Sequence, residues 1–147
     1  MSFTLTSPTI HAGAEIPAEH TCDGNDSAPD LSWSGTPDGT AELVLLMDDP
    51  DARGFIHWLV TGIPGDATHL GRGMIPAGAR QLPNDFGRSG YGGPCPPHGT
   101  HRYDFTLFAL SHSPTLSAAP GSAEVRRAVR DLVLGTAALH ARYTRRR

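Results

Sequence analysis

Lysine is absent from this chain of 147 residues; all twelve basic residues are arginine. We attribute this to codon usage rather than chemistry, although arginine does favour carboxylate and phosphate partners. Positive charge is not in excess either. The formal net charge is −3, so there is no global attraction for nucleic acid, and none is expected as a partner. Seven of the arginines lie from Arg126 onward, which reads as a solvated helix face and a frayed end. No segment approaches the ~20 apolar residues of a membrane span. The opening MSFTLTSPTI lacks a basic patch followed by an apolar run, so the protein is expected in the cytoplasm. Cysteine is scarce: Cys22 and Cys95 are the only two, and neither has a second thiol nearby to make a zinc pattern. They could face each other at a pocket rim as a disulfide or a thiol pair. In a cytosolic protein two reduced thiols are the default.

What is abundant is turn chemistry. With Gly 17 and Pro 13 in a chain that is 38% hydrophobic and 18% charged, many turns and short strands are favoured over a helical bundle. The length fits one domain, residues 1–147, with room for a real core. Strand patterns occur at Phe3–Thr6, Leu31–Ser34, Glu42–Met47, Ile56–Thr61 and His101–Leu110. Glu42–Met47 is nearly continuous in apolar residues, as in a strand buried on both faces. On the last strand His101, Tyr103, Phe105 and Leu107 share a face by the two-residue period. Residues 64–100 have little periodicity and read as a long functional loop excursion.

One helix is expected near the C-terminus. Ser122 is its N-cap and Glu124 sits in the first turn. Val125, Ala128, Val129, Leu132 and Val133 form its buried stripe, which Leu139 and Tyr143 resume beyond Gly135. The fold class is therefore mostly β, antiparallel and sandwich-like with two sheets, plus a C-terminal α-helix.

Two segments carry the chemistry. In DDPDARGFIHW, residues 48–58, a strand ends in carboxylates and the next strand begins with His57 and Trp58. Pro50 holds Asp49 extended, and alternation puts Asp49 and Asp51 on a common side. In GRSGYGGPCPPHGTHRYDF, residues 87–105, a Gly/Pro loop leads into His101 and Tyr103. These segments read as two walls of one pocket. Asp49 would hold one ring nitrogen of His57 and leave the other facing inward. Backbone N–H groups of the loop could cradle an anion. A nucleotide P-loop is disfavoured, since no Gly-Lys-Ser/Thr occurs, and Gly-x-Ser-x-Gly is missing too. Cys95, between prolines and near His98 and His101, reads as a structural thiol before a nucleophile. The enzymatic alternative is a metal-assisted hydrolase using His57, His101 and Asp49, but no short two-histidine spacing supports it.

Taken in order, Thr21-Cys22-Asp23-Gly24, Leu31-Ser32-Trp33, Asp48-Asp49-Pro50-Asp51-Ala52, His57-Trp58, Asn84-Asp85-Phe86-Gly87, Gly90 through Pro97 and His101-Arg102-Tyr103 resemble the phosphatidylethanolamine-binding protein family, in its bacterial, Raf-kinase-inhibitor-like branch. The resemblance implies a β-sandwich-like fold with a terminal helix and a pocket for a phosphate-like or carboxylate anion, such as a phospholipid headgroup. It implies ligand-binding roles for Asp49, Asp51, His57, Gly93, Pro97, His101 and Tyr103, no cofactor, and action by binding rather than catalysis. Kinases or other proteins as partners and a homodimer also follow from the resemblance alone. One departure stands out: Arg53 occupies a position where the family usually has proline. That loop is expected to be looser or differently routed, with Arg53 in solvent.

Overall fold

In the computed structural model, which describes residues 2–71 and 73–145, the strands are β1 (Thr4–Thr6), β2 (Leu31–Ser34), β3 (Glu42–Asp49), β4 (Phe55–Pro64), β5 (His69–Leu70), β6 (Arg80–Gln81), β7 (Gly99–Leu110) and β8 (Val133–Arg145), with helix α1 (Ser122–Arg130) before the last. They form two antiparallel sheets, one ordered β1-β2-β5 and the other β6-β4-β3-β7-β8.

The apolar run of β3 explains the layering. Leu43, Leu45 and Met47 point into the core between the sheets, where they meet Trp33, Trp58, Phe105 and Leu107. Val44 and Leu46 point the other way, into a second cluster with Leu59, Val125 and Val129 under α1. A strand covered on both faces needs no polar alternation, and β3 has almost none. Among the described residues no helix is long and apolar enough to cross a membrane.

The C-terminal region differs from the sequence expectation. The helix is nine residues long, Gly121 rather than Ser122 is its N-cap, and Asp131 ends it. Val133 is exposed, and residues 133–145 are a strand that pairs with β7 along its length, from Gly99↔Arg145 to Leu110↔Val133. Ala137, Leu139, Ala141 and Tyr143 are buried while Ala138, His140 and Arg142 are exposed. Leu139 and Tyr143 are four apart, a spacing that satisfies both the helical and the two-residue period. Only the alanines between them mark the strand, and alanine is a weak signal.

The cysteines are also corrected. Cys22 and Cys95, 73 residues apart in sequence, form a disulfide rather than two reduced thiols. It ties the 21–24 turn to the Pro94–Pro97 run beside β7, and Cys22 N–H donates to the Pro94 carbonyl at 3.1 Å.

Candidate functional site

A bulge sets the first wall. Met47 pairs with Trp58 and Asp48 with Ile56, so His57 is the extra residue of β4. The bulge breaks strict alternation: Ile56 faces the α1 cluster, Trp58 faces the inter-sheet core, and His57 is released from the ladder with β3. Its ring is buried, and Nδ1 donates to the Gly92 carbonyl at 2.6 Å. Gly92 N–H returns a bond to the His57 carbonyl at 2.9 Å. The 84–93 loop is thereby clamped to β4. Buried Asn84 holds that loop in shape, donating to the Gly90 carbonyl and accepting from the N–H groups of Phe86 and Arg88.

Asp49 closes β3 and caps a 3-10 turn at Pro50–Ala52. Its Oδ1 accepts from the Asp51 and Ala52 N–H groups at 2.8 and 3.1 Å. Its Oδ2 accepts from His101 Nδ1 at 2.6 Å. The expected Asp49–His57 couple is therefore not what forms. The carboxylate orients His101, and a backbone carbonyl orients His57. Arg53 ends the turn at φ 58, ψ 34, exposed to solvent. Proline is locked near φ −65°, so this loop runs along a route that proline could not take.

His57, His101 and Tyr103 share one cavity of about 200 Å³ with Asp49 and Pro97. The Tyr103 ring lies 5.3 Å from that of His57, edge to face, and 6.5 Å from that of His101, nearly parallel. Among the described residues the Tyr103 hydroxyl, His57 Nε2 and His101 Nε2 have no hydrogen-bond partner. No fully buried side-chain nitrogen or oxygen among those residues lacks one, so these three atoms are open to the cavity. Burial pushes the Tyr103 hydroxyl well above its ordinary range, helped by the charges of Asp49 and Asp51, so it stays protonated and able to donate. Burial pulls His57 below the usual imidazole value, outweighing the Gly92 carbonyl and the Asp49 charge, which favour its charged form.

Two expected ligand residues fall outside. Asp51 is exposed, its Oδ2 accepts from Arg102 N–H at 2.8 Å, and it lines a neighbouring surface groove with His140. The cause is the 3-10 turn, which rotates Asp51 away from the side Asp49 takes. Gly93 donates its N–H to Asp26 Oδ1 at 2.8 Å, and a Cβ there would sit 2.1 Å from the His20 carbonyl oxygen. That position requires glycine for the close backbone approach. The expected N–H cradle shrinks accordingly. Gly92 and Gly93 are committed, Pro94, Pro96 and Pro97 have no N–H, and only Cys95 can offer one.

Sequence reasoning missed the apolar rim. Phe55 and Phe86 pack edge to face at 4.8 Å and both contact the His57 ring, and Phe86 is 42% exposed at the mouth. The Arg88 guanidinium lies 5.6 Å from the centre of the Phe86 ring. Phe86 lies within the quoted Asn-Asp-Phe-Gly motif, which was its only signal. No three of His, Cys, Asp and Glu converge to hold a metal among the described residues. A larger cavity, about 340 Å³, lies under α1 between Val44, Leu59, Phe108 and Val125, but no histidine, tyrosine or carboxylate lines it.

A family model described as phosphatidylethanolamine-binding protein matches residues 6–144. A UPF0098 protein from Methanothermobacter thermautotrophicus is 42% identical over 150 residues, covering 97% of this chain and 99% of that one. The lipoprotein-named LppC of Mycobacterium tuberculosis is 46% identical over 130 residues, covering 86% of this chain, and this chain spans only 63% of its length. The crystal structure of YbcL from Escherichia coli, described as a member of the mammalian PEBP family, superposes with a TM-score of 0.92 at 32% identity, over 99% of this chain and all of that one.

Proposed function

The chain belongs to the phosphatidylethanolamine-binding protein family, and on that footing we propose that it binds a small phosphate-like or carboxylate anion, a phospholipid headgroup among them, in the His57–His101–Tyr103 cavity. One observation carries this reading: three polar atoms without a partner among the described residues open into one small cavity walled by aromatic rings and prolines. Unpaired polar groups in a desolvated site are costly unless a ligand or water satisfies them. Tyr103 donates its hydroxyl proton. His101, with Asp49 behind it, turns Nε2 to the same space and hydrogen-bonds the anion there. The Phe55–Phe86 rim lowers the local dielectric and strengthens both bonds.

Calorimetric titration of inorganic phosphate and of acetate into the protein tests this. Removal of either group, in Tyr103→Phe or His101→Ala, is expected to weaken binding about tenfold. Undiminished binding in both variants would refute the site assignment.

The rest of the reading extends the family membership. We take the chain to act by binding rather than by catalysis, with a kinase or other protein, or a second copy of itself, as its macromolecular partner. Pull-down and size-exclusion runs with and without anion test those partners. Cytoplasmic location belongs to the same proposal, and the Cys22–Cys95 bridge weighs against it, because disulfides persist in oxidising compartments. Alkylating free thiols in intact cells before lysis decides between the two.

A further inference from the structure

We propose that the cavity selects oxyanions that bring a proton of their own, hydrogen phosphate or a singly protonated phosphomonoester, over sulfate and phosphodiesters, which carry none. The inference rests on the anion reading above and narrows it.

The argument starts from where the protons already are. The Gly92 carbonyl can only accept, so the hydrogen of His57 sits on Nδ1, 2.6 Å from that oxygen. The reciprocal bond from Gly92 N–H to the His57 carbonyl fixes the ring and the loop together, so the tautomer cannot exchange without unclamping β4. A neutral imidazole has one ring proton, so Nε2 presents a bare lone pair to the cavity. A second proton is disfavoured by burial. The charged groups facing the ring do not reverse this: Asp49, from the end of β3, is held by three donors, and Asp26, from the 21–30 loop, accepts from Gly93 N–H beside Arg88. From β7 Tyr103 and His101 face the site; from the 84–93 loop Phe86 packs on the ring, and the Gly92 and Gly93 backbone beside it favours the charged form without outweighing burial.

His101 also directs its Nδ1 hydrogen to Asp49 and turns Nε2 to the cavity. The cavity therefore offers the acceptor Nε2 of His57 beside one hydroxyl and the His101 ring. An unprotonated oxygen turned toward His57 Nε2 would set lone pair against lone pair. A P–OH in the same place donates to it, while the Tyr103 hydroxyl and the His101 ring bind the remaining oxygens. His57 thus acts as a proton-reading specificity residue rather than as an anion donor.

Inorganic phosphate and sulfate provide the test. At mildly alkaline pH both are tetrahedral dianions of similar size, and only phosphate retains a hydrogen. Calorimetry on the intact protein is expected to show phosphate bound about tenfold or more tightly than sulfate. Methyl phosphate and dimethyl phosphate, compared at mildly acidic pH where each carries one charge, are expected to divide the same way, which separates free monoesters from lipid diesters. Equal affinities in both pairs would overturn the selection while leaving the anion reading in place, and failure of every probe to bind would overturn both. In His57→Gln, whose amide can donate, the phosphate preference is expected to fall to within about threefold. A preference that survives intact in a folded variant would overturn the role given to His57.

Discussion

His101 donates through Nδ1 to Asp49 Oδ2 at 2.6 Å, and the other oxygen of the same carboxylate binds the 3-10 turn that follows β3. One buried side chain thereby fixes a loop and an imidazole 52 residues away at once. This relationship makes the cavity rigid, and it makes the orientation and tautomer of His101 depend on a group that also holds backbone.

Replacing Asp49 by Asn tests that dependence. The amide oxygen can still cap the turn, but the amide hydrogens now face His101 Nδ1 and push the ring proton to Nε2. Histidine nitrogen chemical shifts should report the switched tautomer. Persistence of the Nδ1-protonated form would show that Asp49 does not set it.

The Tyr103 hydroxyl has no protein partner among the described residues, so Tyr103→Phe should leave stability within about 0.5 kcal/mol of the parent in urea unfolding. A loss beyond about 1.5 kcal/mol would mean that the hydroxyl serves the fold rather than a ligand.

Burial lowers the His57 pKa below 6.5, its unfolded value, so between those values the unfolded chain binds the extra proton. The stability associated with the neutral buried ring is complete above 6.5 and declines as pH falls toward the folded pKa. Urea midpoints measured down that range should fall less steeply in His57→Gln than in the parent. Equal slopes would place the titration elsewhere.

Gly93→Ala should destabilise by roughly 1–3 kcal/mol, because its Cβ would meet the backbone oxygen of His20 at 2.1 Å. It should also displace the adjoining prolines and weaken anion binding. A shift in the urea midpoint with unchanged affinity would separate the loop from the cavity.

Opening the Cys22–Cys95 bridge in Cys22→Ser should cost about 2–4 kcal/mol, since the cross-link closes a long loop. The parent treated with reductant should approach the same midpoint. If neither change lowers it, the hydrogen bonds from the 21–27 segment to the Pro94 run and to Tyr143 are sufficient alone.

The sequence by itself determined the local alternations. Leu31–Ser34, Glu42–Met47, Ile56–Thr61 and His101–Leu110 lie within β2, β3, β4 and β7, because side-chain direction along a strand depends only on parity. It also identified the family, through motifs whose order does not depend on packing. Parity fails where the backbone stops being regular, and the site is built at such points. The bulge at His57 and the 3-10 turn after Asp49 decided which nitrogen meets which oxygen and sent Asp51 to the surface. The Cys22–Cys95 pairing, the Phe55–Phe86 rim and the docking of β8 on β7 are contacts between segments remote in sequence, so only the assembled sheets could settle them.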